Sequence, residues 1–407
     1  MKCKCKMAVV FLLALVMLVP LSLSCGGGGS GGGGGTITIG FLTDFTGPGG
    51  PSISKLYPVV QDLVKYYNDE GLIPDAKLRV ISYDTAMDTA KYIPGYDWLK
   101  ERGAKLILTT LPGGPETVKP FADRDQMPIF TYQYLKDMGE PPGAEWIFSI
   151  TIPSNPEVKT LLNWVSENRW NYDTQGIPKI GFYDWESSDG TDREAAFEEY
   201  CQAHPDKFDV VGSFLVPSGI MSPVGEVQKL KNCDFIWAHS IQGAYFIKNY
   251  RDSGYHARFL GSSTTFGFYE FFQSSVGWEK LDGYMITMIV PWWDEDNAAV
   301  TLTKEFIDRY HPGKSPEDMG ASYYGAFFET RAMFEILRQA VTDVGAANLN
   351  GQALRDAGVT YSLHQEGLPE CGFTDTVRYL VHGTAVYEFS AESEGLVKLS
   401  DWLPYIQ

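Results

Sequence analysis

Ten short apolar stretches, each parted from the next by a segment long enough for a helix, constrain this chain more than any other feature. The first five are Thr36–Phe45, Leu78–Asp84, Lys105–Thr110, Met127–Tyr132 and Trp146–Thr151. The second five are Lys179–Trp185, Phe208–Val216, Cys233–His239, Ala257–Ser263 and Gly283–Val290. Their apolar character runs continuously instead of alternating, which marks strands covered on both faces and so parallel sheets with helices on either side. Between the first two, Leu56, Val60, Leu63 and Tyr67 recur at i, i+4, i+7 and i+11, one face of a helix. Ala321 to Val344 carries the strongest helical pattern, with Phe327, Phe328, Met333, Phe334 and Leu337. Two such series predict two α/β lobes. The tail differs: Val377–Val381 and Ala385–Phe389 read as antiparallel strands joined at His382-Gly383.

Ahead of the first strand, Lys2, Lys4 and Lys6 precede an apolar run from Met7 to Val19 that Pro20 ends. That run has the length of a signal-peptide core and is short for a membrane span, which needs roughly 20 apolar residues. Small residues then surround Cys25, and "LSLSC" resembles the lipobox of bacterial lipoproteins, with Leu21 one place further from the cysteine than is usual. Residues 1–24 are therefore expected to be a signal peptide, and residues 25–35 a lipidated Cys25 followed by a tether. Gly26 to Gly35 contains only glycine and serine and as a random coil spans roughly 15–20 Å root-mean-square. It is not a phosphate loop, because no strand precedes it and no Lys-Ser or Lys-Thr pair follows.

The net charge of −18 becomes −21 once the three leader lysines are removed, and so acidic a body excludes nucleic acid and flat contact with anionic lipid. With 44 % apolar and 14 % aromatic residues the remainder is globular. Beyond the leader and Cys25, the cysteines are Cys201, Cys233 and Cys371. Either Cys201 pairs with Cys233 or all three are buried thiols.

Signals for chemistry are few. The six histidines are scattered, with no second ligand at metal spacing. In "DWESSDG" from Asp184, Gly190 falls one place late for a calcium loop, and Ser187, Ser188 and Asp189 read as caps of a helix beginning near Thr191. No nucleophile–base pair is evident at a strand end. The chain is thus expected to be no enzyme and to need no metal or cofactor.

Binding signals gather at the carboxyl ends of the predicted strands, where parallel α/β sheets carry ligands. Gly113 and Gly114 in "LPGGPETV" open a helix whose free N–H groups suit a carboxylate. Tyr132 and Tyr134 follow the fourth strand, and Trp185 and Ser188 the sixth. Ser240 and Gln242 follow the eighth, Ser262, Ser263 and Thr264 the ninth, and Trp292 the tenth. Each aromatic alone suits core packing. Together they predict a cleft lined for a small, partly apolar ligand.

The segment from "TITIGFLTDFTGPGG" to "YYNDEGLI" resembles the opening of the leucine/isoleucine/valine-type solute-binding proteins of bacterial ABC importers. Thr46-Gly47-Pro48, Asn68-Asp69-Glu70-Gly71 and the late "GFTDTVRYL…VYEF" carry the likeness over nearly the whole chain after the leader. The resemblance implies the type I periplasmic binding protein fold, an α/β architecture of two doubly wound parallel-sheet lobes joined by three crossovers. These would fall near Ile152–Asn155, Val290–Trp293 and Cys371–Asp375, so that residues 36–152 and 291–371 form the first lobe, and 153–290 and 372–407 the second. It also implies a monomer held outside the cytoplasm by its lipid, closing by hinge motion on an amino-acid-like, carboxylate or amide ligand and delivering it to ABC permease subunits. Alternatives are the ligand-sensing domain of a signalling system, and a binder of aromatic or aliphatic acids without an amine.

Carried across, the family's carboxylate-binding loop falls at Gly113 and Gly114, and its wall positions near Ser52, Ser188 and Ile241 or Gln242. The acid that pairs with a ligand ammonium falls at Ser263, which cannot do so. Asp184, Glu186, Asp294 or Glu295 must then replace it, or the ligand has no ammonium.

Overall fold

The computed structural model describes residues 35–47, 49–110, 113–133, 145–217, 219–365 and 367–406. The expected leader, Cys25 and all but the last residue of the tether lie outside them.

The first five predicted strands form one parallel sheet. They are β1 (Gly35–Thr43), β2 (Ala76–Asp84), β3 (Ala104–Thr109), β4 (Ile129–Thr131) and β5 (Ile147–Ser149), in the order β2-β1-β3-β4-β5. In β1, Ile39 stands opposite Val80 on one side and Leu106 on the other. The second five are β6 (Lys179–Trp185), β7 (Asp209–Val216), β8 (Phe235–Ala238), β9 (Arg258–Gly261) and β10 (Met285–Met288). The small pair β11 (Ser362–Leu363) and β12 (Cys371–Gly372) stands apart, while β13 (Gly383–Ser390) joins the second sheet antiparallel to β10 and β14 (Gly395–Lys398) adds to it antiparallel to β13. Its order is β14-β13-β10-β9-β8-β6-β7. The predicted parallel α/β class and two-lobe plan are both present.

Apolar side chains cover both faces of each sheet, as continuous apolar strands require. On one face of the first sheet, Phe41, Leu108 and Phe130 pack with Leu63 and Tyr67 of the helix Leu56–Asp69 and with Phe334 and Leu337 of the helix Ala321–Val344. On the other, Leu42, Ile107 and Ile129 meet Tyr96 and Leu99 of the helix Tyr92–Glu101 and Val118 of the helix Gly114–Asp125. In the second sheet, Phe182 and Trp237 pack with Leu161 and Phe197, and Ile236 and Ile286 with Phe246 and Phe272 on the opposite face.

The tail corrects one expectation. Val377–Val381 does not pair with Ala385–Phe389. Instead Tyr379 bridges Ser149 in parallel, and Phe373, Leu380 and Val381 sit in the first lobe's core. Only β13 crosses to the second sheet, so the last passage between sheets comes at His382-Gly383, later than Cys371–Asp375. Tyr379 and Leu380 read as apolar in either partnership, and local sequence does not choose between sheet edges.

The described cysteines are free: Cys201 and Cys233 are buried in clusters on opposite faces of the second sheet, and Cys371 is half-buried. Burial pushes each thiol up to about 12. Among the described residues no helix is long and apolar enough to cross a membrane, and no group of three metal-ligating side chains occurs.

Candidate functional site

Strand order locates the site. In both sheets the chain starts in the middle, adds one neighbour on one side and then moves away on the other, giving 2-1-3-4-5 and 7-6-8-9-10. The reversal leaves a crevice at the carboxyl ends of β1 and β3 and another at those of β6 and β8, which is where open α/β sheets hold ligands.

At the first crevice, Asp44 ends β1 wholly buried, its carboxylate accepting from the N–H groups of Gly47 and of Gly49 at 2.9 Å. Asp84 ends β2 and accepts from Phe45 N–H at 2.9 Å and from Thr46 Oγ1 at 2.7 Å. Two carboxylates thus pin the loop after β1. After β3, Gly113 takes φ +76°, a left-handed conformation that glycine adopts without strain, and Gly114 begins the next helix buried. Thr117 N–H donates to Gly113 O at 3.2 Å, and Pro115 has no N–H. Glu116, in the first turn of that helix, is half-buried. Its Oε2 is buried with no hydrogen-bond partner.

At the second crevice, Ser187 Oγ accepts from Gly190 N–H at 2.9 Å and caps the helix Ser188–Ala203, which begins three residues before the predicted Thr191. Trp185 is half-buried and Ser188 exposed at this edge. Ser240 opens the helix Ser240–Asp252 at φ +63° while only 4 % exposed. A non-glycine residue held there is a local strain of the kind that collects at ligand sites. Behind it, a Cβ on Gly243 would stand 2.6 Å from the Ala238 backbone, so glycine lets this helix press onto the end of β8. Gln242 is buried and lies 3.3 Å from Ser240 Oγ. Ser263 is half-buried after β9, and its N–H donates to Glu157 Oε1 at 2.7 Å.

The two walls touch. Burial first, and then the charges of Asp189 and Asp192, push the Glu116 carboxyl above its ordinary value, with the Ser188 hydroxyl acting the other way. Ser154, at the first passage between lobes, donates to Asp189 Oδ1 at 2.8 Å. Lys55 pairs with Glu270 at 3.6 Å, and Ser322 Oγ donates to Gly267 O at 2.6 Å. Gly113, Gly114, Trp185, Ser188, Ser240, Gln242 and Ser263 therefore all sit at strand ends of the two sheets.

Other expected residues do not. Trp292 is 2 % exposed and stacked on Trp293 with ring centroids 3.7 Å apart, inside the second lobe's aromatic core. A tryptophan pair beside a strand end packs as readily inward as outward, and sequence does not distinguish these. Tyr132 hydrogen-bonds Thr330 on the helix Ala321–Val344. Tyr134 and the Ser52 side chain lie outside the described residues.

The proposed replacements for an acid at Ser263 are also committed or remote. Asp184 is wholly buried and bound by Arg193 Nε at 2.8 Å, with Trp237 Nε1 at 3.3 Å. Glu295 accepts from Trp292 N–H at 2.6 Å and pairs with Lys398 at 3.4 Å. Glu186 and Asp294 are exposed. The acids that do reach the cleft region, Glu116 and Glu157, escaped notice because an acid in the first turn of a helix is ordinary. Glu157, 2 % exposed and bonded to Thr287 as well as Ser263, is pushed up to about 7 by burial.

A hydroxyl–imidazole pair does form, Ser262 Oγ lying 2.9 Å from His239 Nδ1. Both residues are sealed, at 0 % and 1 % exposure, and Thr265 and Tyr284 continue the chain of hydrogen bonds to Ala238 O. Burial first, and Arg193 second, hold His239 well below its ordinary value and neutral. The network satisfies buried polar groups and presents no nucleophile to the cleft.

A family model described as periplasmic binding protein matches residues 36–391. A valine-bound branched-chain amino acid ABC transporter protein from Thermus thermophilus superposes with a TM-score of 0.78 at 16 % identity, over 91 % of this chain and 96 % of that one. A fatty acid ABC transporter substrate-binding protein from Thermomonospora curvata gives 0.76 at 15 % identity, over 91 % and 92 %. An ABC transporter substrate-binding protein from Aeropyrum pernix gives 0.75 at 15 % identity, over 91 % and 96 %. No curated protein matches the sequence.

Proposed function

The chain belongs to the periplasmic binding protein family, and from that premise we propose that it is the solute-binding component of an ABC importer. It works outside the cytoplasm, anchored through a lipid on Cys25. It captures a small amino-acid-like, carboxylate or amide ligand between its lobes and presents it to the permease. One observation supports the reading: each sheet has one switch point, and the two lobes touch through Lys55 with Glu270 at 3.6 Å and Ser322 Oγ with Gly267 O at 2.6 Å. The bodies that close are residues 36–152 with 291–382, and 153–290 with 383–407, the last boundary lying at the His382-Gly383 passage, and the short passages between them are the hinges. Trp185, Ser188, Ser240, Gln242 and Ser263 form the second wall, Gly113 and Gly114 the first.

A thermal-shift screen of the purified protein against amino acids, their amides and their deaminated acids tests this. A ligand at 100 times its Kd stabilises the folded state by about 2.7 kcal/mol and raises Tm. Failure of every compound to raise Tm would count against capture of such solutes.

A further inference from the structure

We propose that Glu270 is a latch between the lobes: its carboxylate, carried by the second lobe, caps a helix of the first and so biases the pair toward the shut arrangement. The inference rests on closure of the two lobes, as proposed above.

The helix Ala321–Val344 needs a cap that its own sequence withholds. The first N–H groups of any helix lack partners within it. Gly320, just ahead, has no side chain to accept from them, and the first turn contains no acid. The acceptor comes from the other lobe. Ala321 N–H donates at 2.6 Å to Oε1 of Glu270, which stands in the helix Tyr269–Val276 beyond β9. A carboxylate at this place also meets the positive end of a 24-residue helix. Lys55 of the first lobe, at the start of the helix Leu56–Asp69, brings its ammonium within 3.6 Å of Glu270 Oε2. One residue on from Ala321, Ser322 Oγ donates to Gly267 O at 2.6 Å, a further bond from the first lobe to the second.

The backbone is shaped for this meeting. Gly320 takes φ +90°, and a Cβ there would lie 2.9 Å from Lys55 Nζ and 3.0 Å from Glu270 Oε1, so glycine lets these groups converge. The helix start lies between the lobes: Tyr323 and Phe327 pack in the first lobe's core, while Ala321 and Tyr324 join Phe266 in the second's. The contact can also open. Lys55 and Glu270 keep 39 % and 33 % of their side-chain surface exposed, so water takes up both charges on release and neither is stranded. A buried carboxylate here would fix the lobes together; one that water reaches gives a reversible bias.

The test is single-molecule energy transfer on the ligand-free protein, with dyes on the exposed Glu101 and Lys229, in wild type, Glu270→Ala, Glu270→Gln and Lys55→Ala. Glu270→Ala should lower the ratio of short- to long-distance populations about fivefold, the worth of a helix cap. Lys55→Ala should lower it about twofold or less, as an exposed ion pair allows. Glu270→Gln, which keeps an oxygen for Ala321 N–H, should fall between. Hydrogen exchange at the Ala321 amide should quicken in Glu270→Ala while the amides of β1 and β8 keep their wild-type rates, which separates release of the lobes from loss of fold. A ratio unchanged in Glu270→Ala, with leucine, leucinamide or 4-methylpentanoate still shortening the distance, overturns the latch and leaves closure standing. A distance that no variant lengthens and none of these compounds shortens overturns both.

Discussion

Glu157 gives the sharpest energetic prediction. Its carboxyl is buried on the helix Ser154–Asn168, bonded to Ser263 N–H and Thr287, and pushed from an ordinary 4.5 to about 7, with burial the first cause. The folded protein therefore keeps a proton that the unfolded chain has released. Below pH 4.5 the group is protonated in both states and imposes no penalty. Between pH 4.5 and 7 the unfolded chain ionises freely while the folded one resists, so stability falls as pH rises; above about 7 the loss is constant. At 1.36 kcal/mol per unit the total is roughly 3 kcal/mol. Glu157→Gln keeps the acceptor for Ser263 and Thr287 and removes the ionisation. Guanidinium unfolding from pH 4 to 8 should show the two proteins converging at the acidic end, with the variant roughly 3 kcal/mol more stable at pH 8. Parallel stability curves across that range would refute the reasoning.

Other expectations follow from the same structure. Arg193→Met strands Asp184, which is wholly buried, and should cost about 3–5 kcal/mol in chemical denaturation, with Asp184→Asn added to it restoring most of the loss. Gly113→Ala meets nothing nearer than Tyr92 Cε2 at 3.9 Å, so its cost should be the left-handed backbone alone, about 1 kcal/mol by thermal unfolding. Cys201 and Cys233 should resist a thiol reagent in the native protein at pH 8 and react on unfolding, and non-reducing mass spectrometry should find no bond between them.

The strands and their parallel class were legible because buried strands announce themselves by unbroken apolar runs, and all ten appear within a few residues of their predicted bounds. That Gly113, Trp185 and Ser240 stand at strand ends was legible for a related reason: each closes or follows an unbroken apolar run. What sequence left hidden is tertiary. Tyr379 pairs with Ser149 across more than two hundred residues, and nothing local to either tells which sheet edge it will join. Trp292 turned inward because Phe266, Tyr269 and Trp293 surround it, an aromatic cluster drawn from separate segments. Glu116 is the clearest case. Read from sequence, "GGPE" offers open N–H groups to a carboxylate; folded, Glu116 brings a buried carboxylate oxygen of its own to that helix start.

The central claim, that two lobes close over a small ligand, is tested most directly by single-molecule energy transfer between dyes on the exposed Glu101 and Lys229, one on each lobe. Titrated with the compound that most raises Tm, the protein should move to a narrower and shorter-distance population, with a midpoint equal to the calorimetric Kd. An inter-lobe distance unchanged at saturating ligand would contradict capture by closure.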